Sequence, residues 1–119
     1  MPSVGFSFEA MSSGCEIRLE GPDEPLLALA AGQAIEEVRR IERKYSRYRA
    51  DSVVSAINAG AGQAAAIAVD EETAALLHFA HELHRSSDGL FDITSGILRQ
   101  AWDFRAQRLP TAEQLAALL

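Results

Sequence analysis

The chain has 119 residues, a formal net charge of −6 and a single cysteine, Cys15. This length suits one domain over residues 1–119 and is too short for two. The acidic charge argues against the broad basic face that nucleic acids or anionic membranes need, and a lone cysteine excludes an intrachain disulfide.

The sequence offers no targeting or membrane-spanning segment. The N-terminus MPSVGFSFEAM lacks a basic region followed by an apolar run. No stretch approaches the ~20 apolar residues of a membrane span. We therefore expect no membrane span, and a protein that is cytoplasmic as the sequence stands or periplasmic if a targeting segment has been removed.

Apolar and polar residues alternate with a period of two on both sides of a Ser-Ser-Gly break. This pattern predicts a β-hairpin with one apolar face. The apolar positions are Phe6, Phe8, Ala10, Cys15, Ile17 and Leu19. We expect Gly14 to supply the positive φ of the turn. Cys15 is expected to be a core thiol rather than a nucleophile, because no histidine is nearby in sequence.

A long helix follows the hairpin. Gly21-Pro22-Asp23 ends the second strand, and an apolar stripe then repeats in steps of three and four residues, which is typical of one helix face. The stripe consists of Leu27, Ala31, Ala34, Val38, Ile41 and Tyr45. We expect this face to pack on the hairpin, with Tyr48 beyond the stripe at the helix exit.

The middle of the chain predicts a short helix and a short strand. Asp51-Ser52 is an N-cap pattern for a helix that runs through Asn58, and Gly60 and Gly62 are expected to end it. Ala66 to Val69 is a candidate strand.

A second long helix is predicted from Asp70, its N-cap, to the region of Asp88-Gly89. Its buried side is expected to consist of Leu76, Leu77, Ala80 and Leu83. Its three histidines, His78, His81 and His84, recur every three residues, whereas helical zinc sites place ligands four residues apart. The spacing therefore favours a solvated polar face over a metal site.

The last segments favour helix. Ile97 to Phe104 is a short apolar segment, and Thr111 with Gln114 forms a capping box that starts a helix running to Leu119. Nothing downstream covers the apolar face of this last helix. We therefore expect the chain to be part of a longer protein or a partner to cover the helix, and we expect self-association through it.

Six of the eleven Lys and Arg residues fall between Arg39 and Arg49, around Tyr45 and Tyr48. The spacing favours a solvated helix end over an anion site, because cations there complement the helix dipole. Tyr45 continues the apolar stripe and is expected in the core. Tyr48 is expected either to stack on a planar ligand or to pack on a neighbouring loop, and its spacing does not choose between the two.

The loop SSDGLFDITSG places Gly89, Leu90 and Phe91 between two acidic residues. One interpretation is structural: a helix C-cap, a phenylalanine anchor and an N-cap at Asp92 or Thr94. The other is functional, with exposed backbone groups beside Phe91 hydrogen-bonding the edge of a base. Spacing alone favours the structural interpretation.

Three motifs, taken in order, resemble the ApbE family of FAD:protein FMN transferases. They are F-x-F-E-A-M-x-S-x-C-E-I-R-L, I-E-R-K-Y-S-R-Y-R-x-D-S-x-x-S-x-I-N and G-L-F-D-I-T-S-G-I-L, followed by A-W-D-F and a Pro-Thr helix start. The resemblance runs from about Phe6 to the chain end and concerns the N-terminal part of the family domain. It implies that the full-length protein takes FAD and, with Mg²⁺, transfers FMN to a threonine of a target flavoprotein subunit.

The resemblance also implies a set of FAD contacts: Met11, Tyr48, Leu90, Phe91 and Asp92. Met11 matches the methionine of the family's M-G-T turn, with Ser12 in place of the usual glycine. Tyr48 matches the tyrosine of S-R-Y. Leu90, Phe91 and Asp92 match the A-F-D loop, with Leu90 replacing a smaller residue.

The remainder of the family pattern is expected outside this chain. The Mg²⁺ ligands and the residues that complete the FAD site lie in the second half of the family domain, so we expect no catalytic residue and no metal ligand here. The chain alone is expected to be inactive and to bind FAD weakly. Ser55 and Asn58 match positions for which we expect structural roles.

The expected architecture is an α+β segment with a hairpin, two long helices and a short strand, whose partial sheet is completed by the missing C-terminal half. Tyr48 and Phe91 are expected to converge as one wall of a flavin pocket. Two other functions stay open. One is a non-enzymatic interaction module of the same fold, and the other is a small anion- or nucleic-acid-binding domain, which the charge of −6 disfavours.

Overall fold

The computed structural model describes residues 1–103 and 105–119. The elements in chain order are strands β1 (Ser3–Ala10) and β2 (Ser13–Glu20), helices α1 (Glu24–Tyr45), α2 (Val53–Ala59) and α3 (Glu71–Ser86), a 3-10 helix (Ile93–Gln100) and helix α4 (Ala112–Leu118). The α+β class predicted from sequence is confirmed. The chain divides into two compact units, Met1–Ala68 and Val69–Leu119.

In the first unit, β1 and β2 form the predicted antiparallel hairpin. Phe8 is opposite Cys15 and Phe6 is opposite Ile17, so the alternating apolar residues share one half-buried face. Helix α1 contacts both strands, as its apolar stripe predicted.

The turn of the hairpin differs from the prediction. Its two central residues are Met11 and Ser12, with φ of 52° and 57°, whereas Gly14 lies within β2 opposite Glu9 and is not in the positive-φ region. Positive φ at both central residues is the type I′ geometry, whose twist matches that of the flanking strands. The register that pairs Ala10 with Ser13 therefore places the turn before the glycine.

Helix α1 begins at an N-cap, Asp23, whose carboxylate accepts a hydrogen bond from the Leu26 N–H at 3.1 Å. Leu27 and Ala31 are buried, and Val38, Ile41 and Tyr45 are half-buried. Ala34 is exposed and Ile35 is half-buried in its place. The buried stripe therefore continues from Ala31 by four residues to Ile35, which keeps it over the hairpin. The prediction that Ala34 belongs to the stripe was wrong.

Helix α2 contacts α1 and begins at the predicted N-cap Ser52. It ends at Ala59, with Gly60 as its C-cap, and Gly62 follows with φ of 78°. The strand predicted at Ala66 to Val69 is not formed. The sheet of the described residues contains β1 and β2 alone, so no third strand offers this segment a hydrogen-bonded partner.

In the second unit, Asp70 lies at the predicted N-cap of α3, and its carboxylate accepts a hydrogen bond from the buried Thr73 hydroxyl at 2.5 Å. The buried side predicted for α3 is wrong in part. Ala80 and Leu83 are half-buried, but Leu76 and Leu77 are exposed. An apolar stripe is buried only along the length that another element covers.

The last segment of the chain forms the helix that its capping residues predict. Thr111 and Gln114 form the predicted capping box, and α4 contacts the 3-10 helix. Leu115 and Leu118 are half-buried, so α4 is less exposed than expected, and self-association through it stays a prediction. The helix predicted from Ile97 begins earlier, at Ile93, and is of the 3-10 type, while Phe104 lies outside the described residues.

None of the helices formed by the described residues combines the length and the apolarity that a membrane crossing requires.

Candidate functional site

A concave surface of about 690 Å³ lies where the hairpin turn meets the end of α1. Met11 and Ser12 line it from the turn, and side chains between positions 41 and 49 line it from the helix end and the segment that follows. We call it the turn pocket. Two of the five FAD contacts predicted from sequence, Met11 and Tyr48, line this one pocket although they are far apart in the chain.

The turn is held to α1 by a backbone hydrogen bond. The Met11 N–H donates to the Glu42 carboxylate, on the flank of the helix face that packs on the hairpin. Met11 and Ser12 both occupy the left-handed region, which costs non-glycine residues about 1–2 kcal/mol each. Strained residues of this kind persist where surrounding contacts hold them, and they are enriched at functional sites.

Two serines fold the segment after α1 against the start of α2. Ser52 is 3% exposed, and its hydroxyl donates to the Ser46 carbonyl at 2.5 Å and accepts a hydrogen bond from the Ser55 N–H at 3.0 Å. The Ser55 hydroxyl donates to the Arg49 carbonyl at 2.5 Å. This structural role was the one expected for Ser55, and it fixes the backbone that carries Tyr48.

Tyr48 projects from this segment into solvent. The residue is 73% exposed, and the Arg47 guanidinium lies over its ring, 5.1 Å from the ring centroid. The choice between a stacked ligand and packing on a neighbouring loop stays a prediction for Tyr48. Tyr45 is half-buried, in line with its predicted place in the core.

Carboxylates neutralise much of the basic run. Arg49 binds Asp51 through two hydrogen bonds, at 3.0 and 2.9 Å. The hydrogen bond and the charge of Asp51 raise the pKa of Arg49, and those of Arg49 lower the pKa of Asp51. Arg43 pairs with Glu36 at 2.7 Å. These pairs agree with the interpretation of the run as mostly helix-end charge.

The remaining predicted contacts, Leu90, Phe91 and Asp92, lie in the second unit. Helix α3 ends in a Schellman motif, in which the Gly89 N–H donates to the His84 carbonyl at 2.8 Å and the Asp88 N–H to the Arg85 carbonyl at 3.3 Å. Asp88, the C′ residue, has the positive φ that this motif requires, and Gly89 also has positive φ. The predicted C-cap is therefore confirmed.

The loop then exposes its apolar residues. Leu90 is 91% exposed and Phe91 is 44% exposed, so Phe91 is not the buried anchor of the structural interpretation. The Phe91 N–H donates to the Ser87 hydroxyl at 2.9 Å, which holds the backbone beside the ring. Convergence of Phe91 with Tyr48 stays a prediction.

Asp92 is the N-cap of the 3-10 helix, as one of the two predicted alternatives stated. Its carboxylate accepts hydrogen bonds from the Thr94 hydroxyl at 2.6 Å and from the Thr94 N–H at 2.8 Å. These bonds favour the ionised carboxylate and lower the pKa of Asp92, with the hydroxyl as the larger cause.

The described residues offer no clustered set of metal-ligating side chains. Residues 1–103 and 105–119 contain no group of three His, Cys, Asp or Glu side chains arranged to hold a metal. His78, His81 and His84 are exposed on α3. No step through Mg²⁺ is assigned to this chain.

Sequence reasoning missed Glu42 and Arg47 as parts of the site. The position of Glu42 could have been predicted from the sequence. Glu42 follows the stripe residue Ile41 and so borders the helix face that meets the hairpin. Arg47 lies beyond the helix, where periodicity no longer predicts the direction of a side chain, and its only signal is its place in the S-R-Y motif.

Comparison with known proteins agrees with the resemblance noted in the sequence. The ApbE family matches residues 11–119. The crystal structure of the ApbE protein of Thermotoga maritima MSB8 is similar over 98% of this chain, with a TM-score of 0.79 and 26% sequence identity. This chain spans 38% of the length of that protein. None of the curated proteins matches the sequence. The family match over residues 11–119 shows that the chain belongs to the ApbE family.

Proposed function

We propose that this chain is the FAD-binding N-terminal segment of an FAD:protein FMN transferase. One observation carries the proposal: Met11 and Tyr48, which the family motifs single out as flavin contacts, line the same pocket. Family membership supports a flavin-transferase-related segment. The transfer of FMN from FAD to a threonine of a target flavoprotein subunit is proposed for the larger protein.

The chemistry of the turn pocket suits a flat aromatic ligand. Stacking of a heteroaromatic ring on an exposed aromatic side chain contributes about 1–3 kcal/mol. Tyr48 offers such a ring, and the polarisable thioether of Met11 is suited to contact the edge of another. Leu90, Phe91 and Asp92 are proposed to add further contacts to the same ligand.

The chemical step is proposed to need more than this segment. A metal ion neutralises and orients phosphate oxygens during such a transfer, and its ligands are expected in the larger protein. The residues of this chain are proposed to bind and orient FAD. We expect the 119-residue chain alone to bind FAD weakly and to transfer no FMN.

Titration of the chain with FAD, followed by flavin fluorescence anisotropy, tests the proposal. We expect Tyr48→Ala to weaken binding about tenfold, within the range for one stacked ring, and Tyr48→Phe to retain it. Phe79→Ala is the matched control, because Phe79 is also an exposed aromatic residue (63%) but is not among the residues that line the turn pocket.

Two results would contradict the proposal. One is the absence of any anisotropy change with the folded wild-type chain, which would leave the non-enzymatic interaction module as the better description. The other is equal affinity of the Tyr48→Ala and Phe79→Ala variants, since the turn pocket would then not be the flavin site. Far-ultraviolet circular dichroism of each variant checks that it is folded.

A further inference from the structure

Two cationic side chains among the described residues line the turn pocket, and their environments differ. Arg49 is engaged in a bidentate pair with Asp51. Arg47 contacts the ring of Tyr48, and no carboxylate within residues 1–103 and 105–119 forms an ion pair with it. Among the described residues, the pocket thus presents one guanidinium, that of Arg47, without an ion pair to a carboxylate.

The acid that also lines the pocket is engaged with the hairpin turn. The carboxylate of Glu42 accepts the Met11 N–H and holds the turn. Arg47 lies over the aromatic ring proposed to stack on the flavin. A guanidinium stacked on an aromatic ring keeps its edge N–H donors available for a planar or tetrahedral anion.

We infer that Arg47 recognises a phosphate group of a flavin nucleotide and so makes the turn pocket select FAD over the neutral riboflavin. The inference rests on the proposed function and adds to it a residue that determines specificity. Tyr48 would bind the ring system, which both ligands offer, and Arg47 the phosphate, which riboflavin lacks. A pocket that used stacking alone would not discriminate by charge.

The test is anisotropy titration of the 119-residue chain with FAD and with riboflavin, at about 0.05 M and about 0.5 M salt. At the lower salt concentration we expect FAD to bind about fivefold more tightly than riboflavin, which is the effect of one partly exposed charge contact. At the higher salt concentration this preference for FAD should be smaller, because salt screens the contact. Arg47→Gln should abolish this preference without changing riboflavin binding. Arg47→Lys, which keeps the charge, should retain part of it.

Arg43→Gln is the matched control, since Arg43 belongs to the same basic run but pairs with Glu36 and does not line the turn pocket. It should leave the preference for FAD intact. A preference that persisted in Arg47→Gln would come from the adenosine moiety and would overturn the inference. The inference would also be overturned if Arg47→Gln lowered the affinities for FAD and riboflavin by the same factor, because the arginine would then act only through the Tyr48 ring.

The titration also separates this inference from the function on which it rests. Equal binding of FAD and riboflavin by the wild-type chain would overturn the role of Arg47 and leave the flavin pocket standing. Binding of neither ligand would overturn both.

Discussion

The backbone N–H of Met11 donates a hydrogen bond to the carboxylate of Glu42, 31 residues further along the chain. This bond joins the strained turn of the hairpin to the last turns of α1, and the turn pocket lies between them. The shape of the pocket therefore depends on a contact between two elements that are distant in sequence.

Removal of this contact should destabilise the chain. We expect Glu42→Ala to lower the free energy of unfolding by about 1–2 kcal/mol, the usual effect of losing a hydrogen bond to a charged group at a partly exposed site. Urea unfolding followed by circular dichroism measures it. Glu37→Ala is the control, because Glu37 pairs with Arg40 on the exposed helix surface, where such pairs contribute at most about 0.5 kcal/mol. Equal effects of the two variants would show that the Met11 bond adds no stability.

Relief of the backbone strain in the turn should have the opposite effect. Asn-Gly is the favoured pair for a type I′ turn, so the double variant Met11→Asn, Ser12→Gly should stabilise the chain by about 1 kcal/mol or more. A rise in the urea midpoint would register this gain. The same variant should bind FAD less tightly, because it removes the proposed Met11 contact.

A glycine placed one residue later is the control for the turn variant. Ser13 begins β2, where φ is not positive, so Ser13→Gly should give no stabilisation. A midpoint that does not rise in the double variant would mean that the two left-handed residues store little strain.

Loss of the Ser52 hydroxyl should loosen the segment that carries Tyr48. Ser52→Ala removes the N-cap of α2 and the bond to the Ser46 carbonyl, which together should cost about 1–2 kcal/mol. Hydrogen exchange should rise over residues 46–55, and FAD affinity should fall although Tyr48 is unchanged. Ser7→Ala, at an exposed position of β1, should leave exchange in that segment unaltered. Unchanged exchange in Ser52→Ala would indicate that other contacts hold the segment.

The pKa of Asp92 offers a test by pH. Hydrogen bonds from Thr94 lower the pKa of Asp92 below its ordinary value of 3.8 in the folded chain. A depressed folded-state pKa stabilises the fold above the ordinary value, and that contribution is lost as pH falls through the folded-state pKa. We therefore expect the start of the 3-10 helix to lose stability in the acidic range below about pH 4.

NMR titration of the side-chain carboxyl carbons measures this effect. Thr94→Val removes the hydroxyl and should move the pKa of Asp92 back toward 3.8. Asp51 is an internal control, because its pKa is lowered by Arg49 and should not respond to the change at Thr94. An Asp92 titration identical in the wild type and in Thr94→Val would contradict the assignment of its cause.

Interactions between residues close in sequence determined most of the strands and helices, and the sequence alone was enough to predict them. The period-two alternation around Phe6 and Ile17 specified a hairpin with one apolar face, because successive side chains of a strand point to opposite faces. Ser52 and Thr111 marked helix starts, since their hydroxyls accept hydrogen bonds from N–H groups only three residues away. The ordered motifs also indicated the ApbE family, to which the chain belongs.

The tertiary structure decided what depends on contacts across the chain. Strand pairing moved the turn from Gly14 to Met11 and Ser12, and left Ala66 to Val69 without a strand partner among the described residues. The bond between Met11 and Glu42 and the stacking of Arg47 over Tyr48 formed only when the chain folded. Sequence patterns record which face a side chain occupies within its own element. They do not record the register between elements or the path of a segment after a helix ends, and the turn pocket is built from both.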